Sequence, residues 1–146
     1  MKTLKFLLVA LFVTTVATAQ DLKQTDVPNS VLSKFQKENP NAKDVEWEKE
    51  MDNYKVEFDQ GSQEYEIWYS TSGTMVKMEQ DITENMLPKA ITSVISSKYS
   101  GYKVDDCEKI TIDNKTTYKV ELENGTDEMD VVFNETGKVE SEMNDN

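Results

Sequence analysis

The sequence predicts an α+β fold made of two tandem repeats, each a helical segment packed on a roughly four-stranded antiparallel sheet. Three observations carry this. An apolar-Pro pair occurs twice, as Val27-Pro28 and Leu87-Pro88, and each opens a run with helical apolar spacing. An alternating run also occurs twice, as Tyr54-Lys55-Val56-Glu57-Phe58 and Tyr118-Lys119-Val120-Glu121-Leu122. Each run is followed at the same distance by a glycine, Gly61 or Gly125. Self-similarity of this length marks one supersecondary unit used twice.

The helices come first in each repeat. Val27, Val31 and Phe35 are answered by Leu87, Ile91 and Ile95, apolar positions four and eight residues after the first. A proline is tolerated in the first helical turn, where amides lack intrahelical partners, and Asp26 and Asn85 are candidate caps. Asn39-Pro40 stops the first helix and Ser100-Gly101 the second.

Strands follow. One holds Val45 and Trp47, and its counterpart holds Val104 and Cys107. In the next, Tyr54, Val56 and Phe58 lie on one side and Lys55, Glu57 and Asp59 on the other, the alternation of a half-buried antiparallel strand. The turn at Gly61 joins it to Glu64-Tyr65-Glu66-Ile67-Trp68-Tyr69, which matches Glu128-Met129-Asp130-Val131-Val132-Phe133. Gly73 and Gly137 follow four residues later, and Met75 and Val76 begin a last strand. The spacing is 60 between Pro28 and Pro88 but 64 between Gly61 and Gly125, so four extra residues are expected in a loop around Thr111 to Thr116. A single copy of this size buries only about 60% of its unfolded surface, so the copies are expected to share an interface and fold together.

Ahead of the repeats, Lys2 and Lys5 precede the apolar stretch Phe6 to Val13 and the small-x-small series Ala17-Thr18-Ala19. This reads as a signal peptide over residues 1–19, with cleavage after Ala19 and no anchor left behind. Residues 20–25 read as a flexible leader, 26–85 as the first repeat and 86–146 as the second. The expected location is periplasmic or secreted.

Cleavage removes two of 16 basic residues and none of the 28 acids, leaving 14 − 28 = −14 on the mature chain. All the basic residues are lysines, so the bidentate fork that reads guanine or phosphate is missing, and nucleic acid is excluded as a partner. The lone Cys107 forbids an internal disulfide and reads as small apolar filler of the core. Without histidine there is no Ser-His-Asp or Cys-His nucleophile and no imidazole zinc site. No catalytic residue, metal site or cofactor is assigned. The acid groups Asp105-Asp106 and Asp127-Glu128-Asp130 lack the calcium-loop pattern and read as solvated, while the sequons at Asn114, Asn124 and Asn134 read as turns.

Trp68 stands out. Tyr65, Ile67 and Tyr69 share one strand face, which puts Trp68 beside Glu64 and Glu66 on the polar side; Val132 breaks the pattern at the same place in the second copy. An apolar residue there serves either burial between the copies or a partner surface. Trp68, Glu66 and Val132 are therefore the candidate binding residues.

The string from Val27-Pro28 through Trp47-Glu48, Tyr54 to Phe58 and Ile67-Trp68-Tyr69 to Gly73, repeated from Leu87-Pro88 to Gly137, resembles the PepSY-like, beta-lactamase-inhibitor-like family. The resemblance implies an exported protein of tandem helix-and-sheet units whose open sheet face binds a partner. The chain departs from the pattern at Cys107, where the first copy has Trp47, and no inhibitory residue carries over. The resulting reading is an exported, non-enzymatic binding module for an exported protein, with inhibition of an exported enzyme as its particular form. The alternatives are an acidic cation-binding or envelope structural protein, and a carboxylate-only hydrolase. Oligomeric state is left open.

Overall fold

The computed structural model describes residues 20–145. The expected signal peptide lies outside the described residues.

Among the described residues, nine antiparallel strands form one continuous sheet in which each strand pairs with its neighbours in chain order. They are β1 (Gln20–Asp21), β2 (Lys43–Glu50), β3 (Asn53–Gln60), β4 (Gln63–Tyr69), β5 (Met75–Asp81), β6 (Lys103–Ile112), β7 (Lys115–Asn124), β8 (Asp127–Asn134) and β9 (Val139–Asp145). Helix α1 (Asn29–Glu38) lies between β1 and β2, and α2 (Lys89–Lys98) between β5 and β6. The two copies are joined edge to edge by β5 and β6, with Met78 opposite Thr111 and Asp81 opposite Glu108. Hydrogen bonds are the main join, in place of a packed interface between two separate sheets.

The residues expected as a leader are ordered instead. Gln20 and Asp21 pair with Lys49 and Glu48, and the Leu22 amide donates to the Trp47 carbonyl at 2.7 Å. The unpaired edge of β2 gives this polar segment backbone partners, which its composition does not reveal. The helix starts also differ from expectation. Pro28 and Pro88 occupy the N-cap positions, and neither start has a side-chain cap. Short 3-10 turns at Gln24–Asp26 and Glu84–Met86 lead into the prolines, and the proline carbonyls accept the amides of Val31 and Ile91.

Phe35 packs edge-on against Trp47 and Phe58, at 5.3 and 5.1 Å between ring centroids, seating α1 on β2 and β3. Val31, Val56, Ile67 and Tyr69 complete this core, while Ile91, Ile95, Val120, Leu122, Val131 and Phe133 form its counterpart. Both helices cover the same face. Ile67 pairs with Met78 and Met78 with Thr111, and Thr111 shares its side of β6 with the buried Cys107.

Cys107 takes the place of Trp47, and the second core restores the lost volume with Tyr99 and Tyr102 where the first has Asn39 and Ala42. Burial, followed by the charges of Asp106 and Glu84, pushes the Cys107 thiol up to about 12, consistent with an inert packing role. The four extra residues lengthen β6 and β7 to 10 residues each, against 8 in β2 and β3, instead of making a loop. The hairpin turns at Asp113 and Asn114, both with positive φ. Gly73 and Gly137 do more than turn the chain. At φ of 82° and 84°, each lies where an added Cβ would sit 2.9 or 2.8 Å from the Ser30 or Ala90 carbonyl oxygen. Only glycine lets the β4–β5 and β8–β9 turns approach the helices this closely.

Candidate functional site

The face opposite the helices is covered by no element among the described residues. Cross-strand pairing aligns its side chains in rows: Glu48, Lys55, Trp68 and Lys77 in one, and Glu46, Glu57, Glu66 and Glu79 in the next. Like charges directly opposite one another cost stability in a sheet, so this second row is held against its own repulsion.

Lys55 and Lys77 offset part of it, Lys77 lying 2.7 Å from Glu79. Lys55 lies 3.0 Å from Glu66, 3.7 Å from Glu57 and 3.8 Å from Glu48. Its equivalent Lys119 lies 3.4 Å from Asp130 and 3.8 Å from Glu108. The same lysine-centred network thus occurs in both copies. Burial works to lower Lys55, but the hydrogen bond and charge of Glu66, aided by Glu48 and Glu57, hold it above its ordinary value. Glu66 is also raised, which a lone ion pair would not do. Its own burial comes first, and Glu57 and Glu79 oppose the lowering by Lys55. At 3.0 Å the two groups form an ion pair set in an acid-rich field.

Glu64, Glu66, Glu79, Asp81 and Glu108 converge on a small pocket where β4, β5 and β6 meet. Glu57, Glu64 and Glu66 bring one carboxylate oxygen each within 4.8 Å of one another. Burial, and then neighbouring acids, raise Glu64 and Asp81; burial also raises Glu108, against the pull of Lys119. The acids singled out in the sequence, Asp105-Asp106 and Asp127-Glu128-Asp130, are not the ones that converge. The hairpin about Gly61 carried the missed signal, because its register sets Glu57 opposite Glu66 and Asp59 opposite Glu64.

Trp68 is on the open face, yet only 8% exposed. Lys77 lies over its ring at 4.1 Å from the centroid and Lys55 at 5.5 Å, while its indole N–H donates to Glu50 Oε2 at 2.8 Å. Neither burial between the copies nor bare exposure describes it; lysine stems roof the ring. Irregularities in register fall next to Trp68 and next to Val132, at the same place in each repeat, and such bulges re-aim side chains. Glu66 adjoins Trp68 on β4. Val132 shares the face but lies four strands away on β8, about 19 Å at normal strand spacing. The structure therefore unites two of the three candidate residues and sets the third apart.

A family model described as "Putative beta-lactamase-inhibitor-like, PepSY-like" matches residues 13–77 and again 52–141. The chain belongs to this PepSY-like family. Among solved structures, a DUF2874 family protein from Bacteroides uniformis superposes with a TM-score of 0.72 at 20% identity, over 80% of this chain and 88% of that one. One described among "putative periplasmic proteins", from Bacteroides eggerthii, gives 0.72 at 18% identity over 81% and 88%. A BLIP-like protein from Bacteroides fragilis gives 0.68 at 26% identity over 80% and 85%. No curated protein matches the chain. No helix among the described residues is long and apolar enough to cross a membrane.

Proposed function

We propose that this PepSY-like chain is an exported, non-enzymatic binding module that docks a partner protein through the open face of its sheet, inhibition of an exported enzyme being one form of that action. The observation that carries the proposal is the uncovered face itself, where Glu57, Glu64, Glu66, Glu79, Asp81 and Glu108 gather against few lysines. A partner presenting a basic surface complements this field and speeds encounter. Glu66 and Val132 contribute contacts directly, and Trp68 acts as the floor beneath Lys55 and Lys77. Export to the periplasm or beyond is supported by the Lys, apolar and Ala-x-Ala series and by the description of the Bacteroides eggerthii neighbour.

Affinity capture from an envelope extract tests the docking. The wild type is expected to retain a stoichiometric partner, the Glu66→Lys/Glu79→Lys variant to lose it, and Lys37→Glu, exposed on α1, to keep it. Equal capture by all three, or none by the wild type, rejects the open face. A second reading rests on the convergence of Glu57, Glu64 and Glu66 within 4.8 Å, a start toward the oxygen shell of a hard cation. Calcium-dependent thermal stabilisation that disappears in Glu64→Gln favours it; a melting temperature indifferent to calcium removes it.

A further inference from the structure

Strand β9 pairs with β8 as β5 pairs with β4. Ile67 stands opposite Met78 and Val131 opposite Glu142, Trp68 opposite Lys77 and Val132 opposite Ser141, and the register shifts at the same place in both. The outer edge of β5 carries β6, with Met78 opposite Thr111 and Gln80 opposite Lys109. The outer edge of β9 therefore has the backbone course of an edge that accepts a strand, and among the described residues none pairs with it. Such an edge is a ready template for another chain. Met143, on this strand and 63% exposed, adds apolar surface that a joined strand would cover. The other end of the sheet is closed by β1, which lies on Lys49 and Glu48 in the register that Gln80 and Asp81 take on Lys109 and Glu108.

The side chains differ. Where β5 has Val76 and Met78, β9 has Glu140 and Glu142. Glu140 lies 3.3 Å from Lys115, and Glu142 pairs with Lys98 and accepts from the Tyr99 hydroxyl. Both ion pairs are partly exposed, and a strand laid along β9 would take them out of water without supplying a new partner. A second copy offers the same edge, because its β2 is already covered by β1, so the joint open to it is β9 on β9 across a two-fold axis. Full antiparallel overlap, Val139 against Asp145, sets Glu142 opposite Glu142 of the second copy. Like charges directly opposite one another are destabilising. We propose that Glu140 and Glu142 close the β9 edge to a second copy of this chain, an edge whose backbone is otherwise competent for two-fold antiparallel pairing.

Sedimentation equilibrium of the purified protein, read beside amide hydrogen exchange, tests this. The wild type is expected at monomer mass throughout the concentration series. Glu140→Val/Glu142→Met, which gives β9 the residues of β5 at those positions, is expected to approach dimer mass as concentration rises. The β9 amides are expected to exchange more slowly in that dimer than in the monomer. Because Glu142→Met also removes the partner of Lys98 and Tyr99, Glu140→Gln/Glu142→Gln carries the same test if the first variant fails to fold. It lifts the charge, keeps an acceptor for Tyr99, and is expected to dimerise through β9 more weakly. A folded variant that stays monomeric overturns the proposal, as does a dimer whose β9 amides exchange as fast as in the monomer. A wild type that is itself dimeric with slowed β9 amides overturns it too, since the acids would then close nothing.

Discussion

Truncating Trp68 to alanine separates support from recognition on the open face. The side chain is 8% exposed but belongs to neither helix-facing core, so its loss opens a site that lysine stems and water can partly fill. Burial of a large side chain contributes about 1.5–3 kcal/mol. The lysines at 4.1 and 5.5 Å add about 0.5–1 kcal/mol each at a solvent-facing site. The bond to the Glu50 carboxylate adds about 1 kcal/mol at a partly exposed position. These overlap, and relaxation recovers some of them, so Trp68→Ala is expected to cost about 3 kcal/mol, near the low end for a buried tryptophan. Trp68→Phe keeps most of the packing and is expected to cost about 1 kcal/mol. Urea denaturation of both variants provides the values, with an unchanged m-value confirming a two-state comparison. A loss below about 1 kcal/mol for Trp68→Ala refutes the argument that the lysine roof makes this ring structural, and returns Trp68 to the role of a direct partner contact.

Gly73→Ala and Gly137→Ala are each expected to cost more than about 2 kcal/mol, since left-handed backbone strain adds to the approach of Cβ to a helix carbonyl; thermal melting of each reads this out. Gly61→Ala, with open space around its Cβ, is expected to cost only the strain of its φ of 72°, and so less than either. The folded state raises Glu64, Glu66, Asp81 and Glu108, so these groups favour folding most when protonated, and that contribution is lost as pH rises through their folded pKa values. The melting temperature is therefore expected to rise as pH falls from 7 toward the upper edge of the carboxylate range. Added salt at pH 7 is expected to raise it too by screening the acids, and a fall under either change contradicts the electrostatic reading. Trp47→Ala empties the space between α1 and the sheet and is expected to cost about 3–5 kcal/mol by urea denaturation.

Local signals made much of the fold legible. The alternation of Tyr54, Val56 and Phe58 encodes which side of β3 meets the helix, because successive strand residues point to opposite faces. The duplicated prolines and glycines locate the same turns in both copies, and the polar placement of Trp68 beside Glu66 follows from the same period. The ordering of residues 20–25 was not legible, because a polar segment is ordered by the backbone partners that a distant strand edge offers.

The candidate site divides in the same way. The sequence by itself determined that the open face is acidic, that Glu66 and Trp68 share it, and that a histidine-free chain lacks imidazole chemistry. Only the tertiary structure decided that β5 pairs with β6, which merges the copies into one sheet and brings Asp81 and Glu108 beside Glu64 and Glu66. It also decided that Lys55 and Lys77 roof Trp68 while Val132 stands four strands away. Strand periodicity is a property of neighbouring residues, whereas pairing between distant edges and the cover over a side chain depend on where the whole chain closes its hydrogen bonds.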